Sequence, residues 1–303
     1  QRTIYGQINN RSFCRKGGKI KMNTKEKMHI VASCNTQFVP HLAALFVSIL
    51  DNCTQKEYKF NFFVVDDSIE EESKELLRST VNKYSAYHSL QFLELDKSYF
   101  TNVVISDRIP ETAYYRIKIP ELFRGTTIDK ILYLDCDMIA LTDITQLWQT
   151  DITQHLLAAD EDAGFHQRLE KMEIESLTNR YFNSGLMLIN VKRWLNEGIS
   201  DKVLDFIRNN PTKLCYHDQD ALNAVLHDRW VSLHPKWNAQ RYILAHETTP
   251  PNLVYERAYQ EVRQAPHIIH YTGHAKPWNE ESNVPARTLY KKYSRMTDFK
   301  ESS

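Results

Sequence analysis

Residues 131–140 read Ile-Leu-Tyr-Leu-Asp-Cys-Asp-Met-Ile-Ala, an apolar run that ends in two carboxylates, Asp135 and Asp137. The run has the length and composition of a buried β-strand. Because alternate residues of a strand point the same way, we expect both acids to face one spot at the strand's end. In an open α/β sheet, ligands bind at that end of the strands.

Two carboxylates that face one spot repel each other unless a cation lies between them. A hard divalent ion takes oxygen ligands of this kind, so the first interpretation is a metal site that holds a phosphorylated ligand. Asp-x-Asp is also a short pattern, and it occurs in solvated loops and among capping carboxylates. The spacing alone leaves both interpretations open.

Strands alternate with helical segments on both sides of this stretch. We predict strands at 29–33, 59–65, 90–95, 130–134 and 156–159, and helices at 39–50, 69–84, 112–123, 199–209 and 218–226. Residues 180–191 resemble a turn that feeds a buried strand, and 228–266 are predicted to be loop-rich with short strands. The alternation predicts an α/β fold with a mainly parallel sheet flanked by helices, to which the second half adds strands.

Composition narrows the class of protein. The chain has 303 residues, with 38 Lys plus Arg and 38 Asp plus Glu, so its formal charge is zero. Nucleic-acid binding requires a basic face, and the sequence gives no sign of one. The five cysteines are odd in number and widely spaced, which argues against a disulfide framework and favours a reducing compartment. The longest apolar stretch, 42–50, is too short to span a bilayer.

We divide the chain into three parts. Residues 1–27 are polar, basic and without hydrophobic periodicity, and we predict a disordered tail or an artificial extension there. Residues 28–280 form the predicted domain. Residues 281–303 form a C-terminal extension that we expect to be helical.

Three further segments carry unusual polar residues. Phe-Asn-Ser-Gly at 182–185 precedes an apolar run and is, by itself, compatible with an ordinary turn. His-Asp-Gln-Asp at 217–220 offers hydrogen-bonding side chains but also has the composition of a helix N-cap. In the segment 270–278, His270 offers a metal ligand, Gly273 allows close backbone approach, and Lys276 can neutralise a phosphate.

These segments, in this order and with Tyr-Arg-Ile-Lys at 115–118, resemble the family 8 glycosyltransferases. That family includes bacterial lipopolysaccharide galactosyl- and glucosyltransferases, glycogenins and proteins like general stress protein A. The resemblance implies one Rossmann-like nucleotide-sugar-binding domain of the GT-A type. It also implies a UDP-sugar donor with Mn²⁺ or Mg²⁺, for which Asp135, Asp137 and His270 match the metal ligands.

The resemblance also assigns the remaining site residues. Those implied to bind the nucleotide, its diphosphate or the donor sugar are Ala32, Asn35, Gln37, Arg116, Asp135, Cys136, Asp137, Asn183, Ser184, Gly273 and Lys276. Those implied to act in catalysis are Gln219, Asp218 and Asp160. The chain departs from the family at Asn35, where Asp is frequent, and at Gln37, where Asn is common. Both side chains can still hydrogen-bond a base or a ribose hydroxyl.

The function implied is retaining, metal-dependent transfer of glucose or galactose to a glycan or lipid-linked saccharide acceptor, as in lipopolysaccharide biosynthesis. We expect a cytoplasmic location, with peripheral contact at the inner face of the membrane left open. Three alternatives remain. A haloacid-dehalogenase-like phosphatase also carries Asp-x-Asp, but a Thr normally follows where Met138 and Ile139 stand. A self-glycosylating protein like glycogenin and a non-catalytic sugar-nucleotide-binding protein are the others.

Overall fold

The computed structural model, which describes residues 26–55, 58–85, 88–100 and 111–299, consists of alternating strands and helices. The strands are β1 Glu26–Asn35, β2 Tyr58–Asp67, β3 Ser89–Leu93, β4 Lys130–Leu134, β5 Met138–Ala140, β6 Leu157–Ala159, β7 Leu186–Asn190, β8 Trp230–Ser232, β9 Ala239–Gln240 and β10 Ile268–His270. The α-helices are α1 Val39–Asp51, α2 Glu71–Asn82, α3 Tyr115–Lys118, α4 Thr145–Trp148, α5 Arg168–Lys171, α6 Val191–Asn196, α7 Ile199–Asn209, α8 His217–Leu226, α9 Arg241–Leu244, α10 Leu253–Gln264 and α11 Arg287–Ser294. Shorter 3₁₀ turns cover Lys97–Phe100, Glu111–Tyr114, Ile119–Phe123, Pro211–Lys213 and Pro235–Asn238.

The central sheet has the strand order β3-β2-β1-β4-β7-β6-β8. All neighbours in it run parallel except β7, which is antiparallel to both β4 and β6. The prediction of one α/β domain with a mainly parallel sheet is therefore confirmed. Strand order reverses at β1, which has β2 on one side and β4 on the other. Ligands bind at such a switch point, beyond the carboxyl ends of the two strands.

The central strands are buried on both faces, which explains their continuous apolar runs. In β1, Ile30 and Ala32 belong to one apolar core, together with α1, whereas Val31 between them belongs to the other. β4 alternates in the same way, with Leu132 in the first core and Tyr133 in the second. This period of two fixes the register, since a slip by one residue would exchange the two faces.

A second, three-stranded sheet has the order β5-β10-β9. The expectation that the second half adds only to the first sheet is therefore wrong for β9 and β10. β10 pairs antiparallel with β5, with His270 opposite Met138, and parallel with β9, with His270 opposite Gln240. β5 follows β4 directly after the Asp-Cys-Asp stretch. Its pairing with β10 therefore brings residues 268–270, from late in the chain, next to that stretch.

Residues 228–266 differ from the prediction of a loop-rich region, because α10 lies within them. The helix begins after Asn252, whose side-chain oxygen accepts hydrogen bonds from two backbone N–H groups of its first turn. It buries only Ala258, Tyr259 and Val262, so its apolar face is narrow and its sequence pattern is weak.

The ends of the chain are described in part. The predicted tail, 1–27, lies outside the described residues except for its last two, which begin β1. Within the predicted C-terminal extension, 281–303, helix α11 packs Tyr290 and Tyr293 against the domain. The division into three parts stays a prediction. Within the described ranges, no helix combines the length and apolarity that a membrane span requires.

Asp220, the last residue of the His-Asp-Gln-Asp segment, serves the fold. Its side chain is completely buried and accepts two hydrogen bonds from Arg168, at 2.9 and 2.7 Å. The backbone N–H groups of Cys215 and Tyr216 donate to the same carboxylate, each at 2.7 Å. The carboxylate therefore holds the chain that leads into α8.

We predict that Asp220→Ala lowers the free energy of unfolding by about 3–5 kcal/mol, because Arg168 is left buried without its partner. Chemical denaturation measures the change. Asp205→Ala is the control, since its pair with Arg208 lies on the surface of α7, and we expect a loss of less than about 1 kcal/mol. Equal losses from the two variants would contradict the structural role of Asp220.

Candidate active site

Asp135 and Asp137 face one spot, as expected, but they lie in the connection after β4 and not on the strand itself. β4 ends at Leu134 and β5 begins at Met138, so the acids and Cys136 form the connection between them. The Asp135 N–H donates to the Gly185 carbonyl at 2.8 Å, which ties the turn to the start of β7. The turn, rather than strand alternation, directs both carboxylates to one spot.

His270, at the end of β10, completes a cluster with the two acids. Its Nε2 lies 3.3 Å from Asp137 Oδ1 and 3.9 Å from Asp135 Oδ2. One potential ligand atom from each of the three residues lies within 4.8 Å of the others. The structure thus brings together the three residues that the resemblance implies as metal ligands.

The second oxygen of Asp135, Oδ1, contacts two neighbouring side chains. Tyr133 Oη donates to Oδ1 at 2.8 Å, and Arg116 Nη2 lies 3.1 Å from the same atom. With Oδ1 occupied, Oδ2 is the oxygen that faces His270. The donor set of two carboxylates and one imidazole fits Mn²⁺, and its oxygens also suit Mg²⁺.

Gly185 makes room for this cluster. A Cβ at this position would lie 2.4 Å from His270 Cε1 and 2.7 Å from Asp135 Oδ2. Any side chain would therefore collide with two of the three candidate ligands. The glycine of the Phe-Asn-Ser-Gly segment is required by close approach and not by an unusual backbone angle.

Lys276 approaches the cluster from the loop after β10. Its Nζ donates to Asp137 Oδ2 at 2.5 Å and to the Tyr271 carbonyl at 2.8 Å. Burial opposes ionisation of Asp137, but Lys276 and His270 outweigh it and hold its pKa well below the usual value. Asp137 is therefore a carboxylate at neutral pH. Gly273 in the same loop has φ +83°, a conformation that favours glycine.

Arg116 links the acidic turn to α8. Its guanidinium Nε lies 3.2 Å from Asp218 Oδ2, and Nη1 donates to the Ser184 carbonyl at 2.8 Å. Burial raises the pKa of Asp218 to about 6, although Arg116 opposes the shift. Arg116, Ser184 and Asp218 are all buried and form one contact network with Asp135.

Gln219 and Asn183 meet at an acid that the sequence analysis did not select, Asp162. Asn183 Nδ2 donates to Asp162 Oδ2 at 2.9 Å, and Gln219 Nε2 donates to the same oxygen at 3.1 Å. Asp160 is not part of this contact, because its Oδ2 accepts from Gln240 at 3.3 Å. Burial raises the pKa of both acids. Asp162 is therefore the acid that contacts Gln219, and the catalytic role implied for Asp160 stays a prediction.

The residues assigned to the nucleotide lie along the end of β1. Ala32 is completely buried, backbone included, and its assigned contact with the nucleotide stays a prediction. Asn35 is half-buried, and its side-chain oxygen accepts from the Phe38 N–H at 3.3 Å, which leaves its amide nitrogen as donor. Gln37 is exposed. Cys136 is buried, and its thiol donates to the Ser33 carbonyl at 3.2 Å, which joins the acidic turn to β1.

Comparison with known proteins identifies the same family that the sequence motifs resemble. A family model described as "Glycosyl transferase family 8" matches residues 29–282. General stress protein A of Bacillus subtilis is 41 % identical over 280 residues, which cover 92 % of this chain and 96 % of the relative. A lipopolysaccharide 1,2-glucosyltransferase of Escherichia coli is 26 % identical over 285 residues, which cover 93 % and 82 %.

A solved structure shares the fold. The galactosyltransferase LgtC, crystallised with donor and acceptor sugar analogs, superposes with a TM-score of 0.78 at 22 % identity. The match covers 91 % of this chain and 98 % of LgtC. At this identity the likeness supports the architecture, and residue roles have to be argued from this chain.

We predict that Gly185→Ala weakens Mn²⁺ binding at least about tenfold, because the new methyl group displaces His270 and Asp135. Electron paramagnetic resonance of free Mn²⁺ during a titration measures the affinity. Gly164→Ala is the control, since the nearest atom to its Cβ is 3.4 Å away. Unchanged affinity in a folded Gly185→Ala protein would contradict the proposed ligand geometry.

Proposed function

The chain belongs to glycosyltransferase family 8 and is a hexosyltransferase, and on that premise we propose that it is a metal-dependent, retaining enzyme. The proposed donor is UDP-glucose or UDP-galactose, and the proposed acceptor is a glycan or a lipid-linked saccharide. The observation that carries the proposal is the convergence of Asp135, Asp137 and His270 beside Lys276. A phosphatase with a nucleophilic Asp is not compatible with a family 8 match over residues 29–282.

The proposed site has a phosphate end and a sugar end. At the phosphate end, Lys276 lies beside Asp137, and Gly273 allows the backbone to approach the distal phosphate. At the sugar end, the buried Asp162 accepts a hydrogen bond from the half-buried Gln219. Asn183, Ser184 and Gly185 connect the phosphate end to the sugar end. Asn35, the last residue of β1, and Gln37, in the turn that follows, serve as the proposed contacts with base and ribose.

Hexose transfer requires stabilisation of the negative charge on the leaving diphosphate while positive charge develops on the sugar. A divalent ion held by Asp135, Asp137 and His270 supplies Lewis-acid stabilisation of the leaving group. Lys276 adds a second positive charge that is fixed before the reaction begins, which is the efficient form of electrostatic catalysis. The carboxylates of Asp162 and Asp218 orient the hexose hydroxyls and favour the cationic transition state.

Retention of configuration requires either two displacements or attack from the face of the leaving group. A double displacement needs a nucleophilic carboxylate next to the anomeric carbon. The family resemblance puts Gln219 at that position, and an amide is a poor nucleophile. Its oxygen accepts from the Ser184 N–H at 3.0 Å and its nitrogen donates to Asp162, so the amide is held in place. We therefore favour front-face attack, with a leaving phosphate oxygen accepting the acceptor's proton.

The proposals for the acceptor and the location rest on a relative's name and on the cysteine pattern. The name of the Escherichia coli relative supports a saccharide of lipopolysaccharide type. We propose a cytoplasmic enzyme, because five cysteines that are odd in number and widely spaced favour a reducing compartment. Self-glycosylation is an outcome of the transfer assay, where it would appear as hexose increments in the mass of the protein itself.

We predict that Asp137→Asn lowers Mn²⁺-dependent hexose transfer at least about 100-fold while the fold is kept, because the amide cannot supply a charged ligand. The assay measures UDP release from UDP-glucose and UDP-galactose with a glycan acceptor panel. The control is Asp205→Asn on the surface of α7, which should match the wild type. Full transfer in the presence of EDTA would contradict the assignment of the two acids.

We predict that Lys276→Ala weakens UDP binding by about 1–3 kcal/mol, the scale of a charge-assisted contact with phosphate. Isothermal titration calorimetry with UDP and Mn²⁺ measures the loss. Lys192→Ala, which removes an exposed lysine from α6, should leave the affinity unchanged. If the two variants bind UDP equally well, Lys276 does not contact the diphosphate.

A further inference from the structure

Asn238 is a completely buried amide that none of the motifs contains. It ends a 3₁₀ turn, Pro235–Asn238, and directly precedes β9, the neighbour of β10 in the small sheet. Its Oδ1 lies 2.9 Å from His270 Nδ1, and its Nδ2 lies 3.1 Å from Asn183 Oδ1. It therefore stands between the imidazole of the proposed metal site and the sugar end.

The direction of each hydrogen bond follows from one backbone group. The Gly185 N–H can only donate, and it donates to Asn183 Oδ1 at 3.1 Å. The atom of Asn183 that faces Gly185 is therefore the oxygen, and Asn238 must present its NH₂ group to that same oxygen. This orientation turns the carbonyl oxygen of Asn238 toward His270. A carbonyl oxygen accepts only, so Nδ1 of His270 carries a proton.

From this chain of donors and acceptors we infer that Asn238 is a positioning residue, which fixes the Nδ1–H form of His270 and leaves Nε2 as the metal-binding atom. The inference rests on the proposed function, because it concerns the imidazole of the proposed metal site. Nε2 is the nitrogen that faces Asp137 and Asp135. An imidazole that binds a metal through one nitrogen is usually oriented by a hydrogen bond from the other.

Asn238 also connects the phosphate end of the site, through its contact with His270, to the sugar end, through its contact with Asn183. Asn183 accepts from Asn238 and donates to Asp162, which in turn accepts from Gln219. Asn238, Asn183 and Asp162 are buried, so a broken hydrogen bond among them would leave an unpaired polar group in the interior. We therefore expect a substitution of Asn238 to perturb both the phosphate end and the sugar end of the site.

The first test uses the metal-free wild-type protein labelled with ¹⁵N-histidine. We expect the His270 resonance to show a proton on Nδ1 that exchanges slowly with solvent. In Asn238→Leu, which removes the acceptor at similar volume, we expect this protection to be lost. Asn238→Asp keeps an acceptor oxygen and should retain it. A wild-type Nδ1 without a proton would overturn the inference, whether or not the enzyme transfers sugar.

The second test measures Mn²⁺ affinity by electron paramagnetic resonance, without substrate. We expect Asn238→Leu to bind about 10–100-fold more weakly than the wild type. Asn190→Ala is the matched control, because it removes a half-buried amide that caps α6 at the far end of β7. Asn238→Leu protein that is folded and binds Mn²⁺ as tightly as the wild type overturns the inference. A wild-type protein that binds no Mn²⁺ instead refutes the proposed metal dependence.

Discussion

Two carboxylates that face each other across a few ångströms are the constraint on which this site depends. Asp135 and Asp137 converge with His270 because a turn, a glycine and a small sheet bring their segments together. Positive charge must compensate them, and Lys276 lies beside Asp137 while Arg116 lies beside Asp135. In the proposed complex, a divalent ion would lie between the two acids and His270 and would attract the diphosphate of a nucleotide sugar.

The motifs separate into residues that hold the fold and residues that shape the site. In His-Asp-Gln-Asp, Asp220 anchors the chain through Arg168, whereas Asp218 and Gln219 face the proposed sugar end. In Phe-Asn-Ser-Gly, the glycine leaves space for His270 and Asp135, and Asn183 donates a hydrogen bond to Asp162. A short segment can thus contain residues that stabilise the fold and residues that shape the site, and only tertiary contacts distinguish them.

Much of the fold could be predicted from the sequence, because long apolar runs and helical periodicity are local signals. The strand at 130–134 and the helix at 199–209 have the predicted bounds. Helix α10 was missed because it buries few residues. The partnership of His270 with the two acids came from the family resemblance, since no local pattern relates residues so distant in sequence. Asp162 and Asn238 escaped prediction because their importance lies in hydrogen bonds between separate segments.

We propose that Asp135, Asp137 and His270 jointly hold one divalent ion that contacts the diphosphate of the donor. The decisive measurement is anomalous diffraction from crystals grown with Mn²⁺ and UDP. We predict one Mn²⁺ peak that contacts all three side chains, with His270 bound through Nε2 and the diphosphate on the open side of the ion. Ordered UDP with no anomalous peak among these three residues would contradict it.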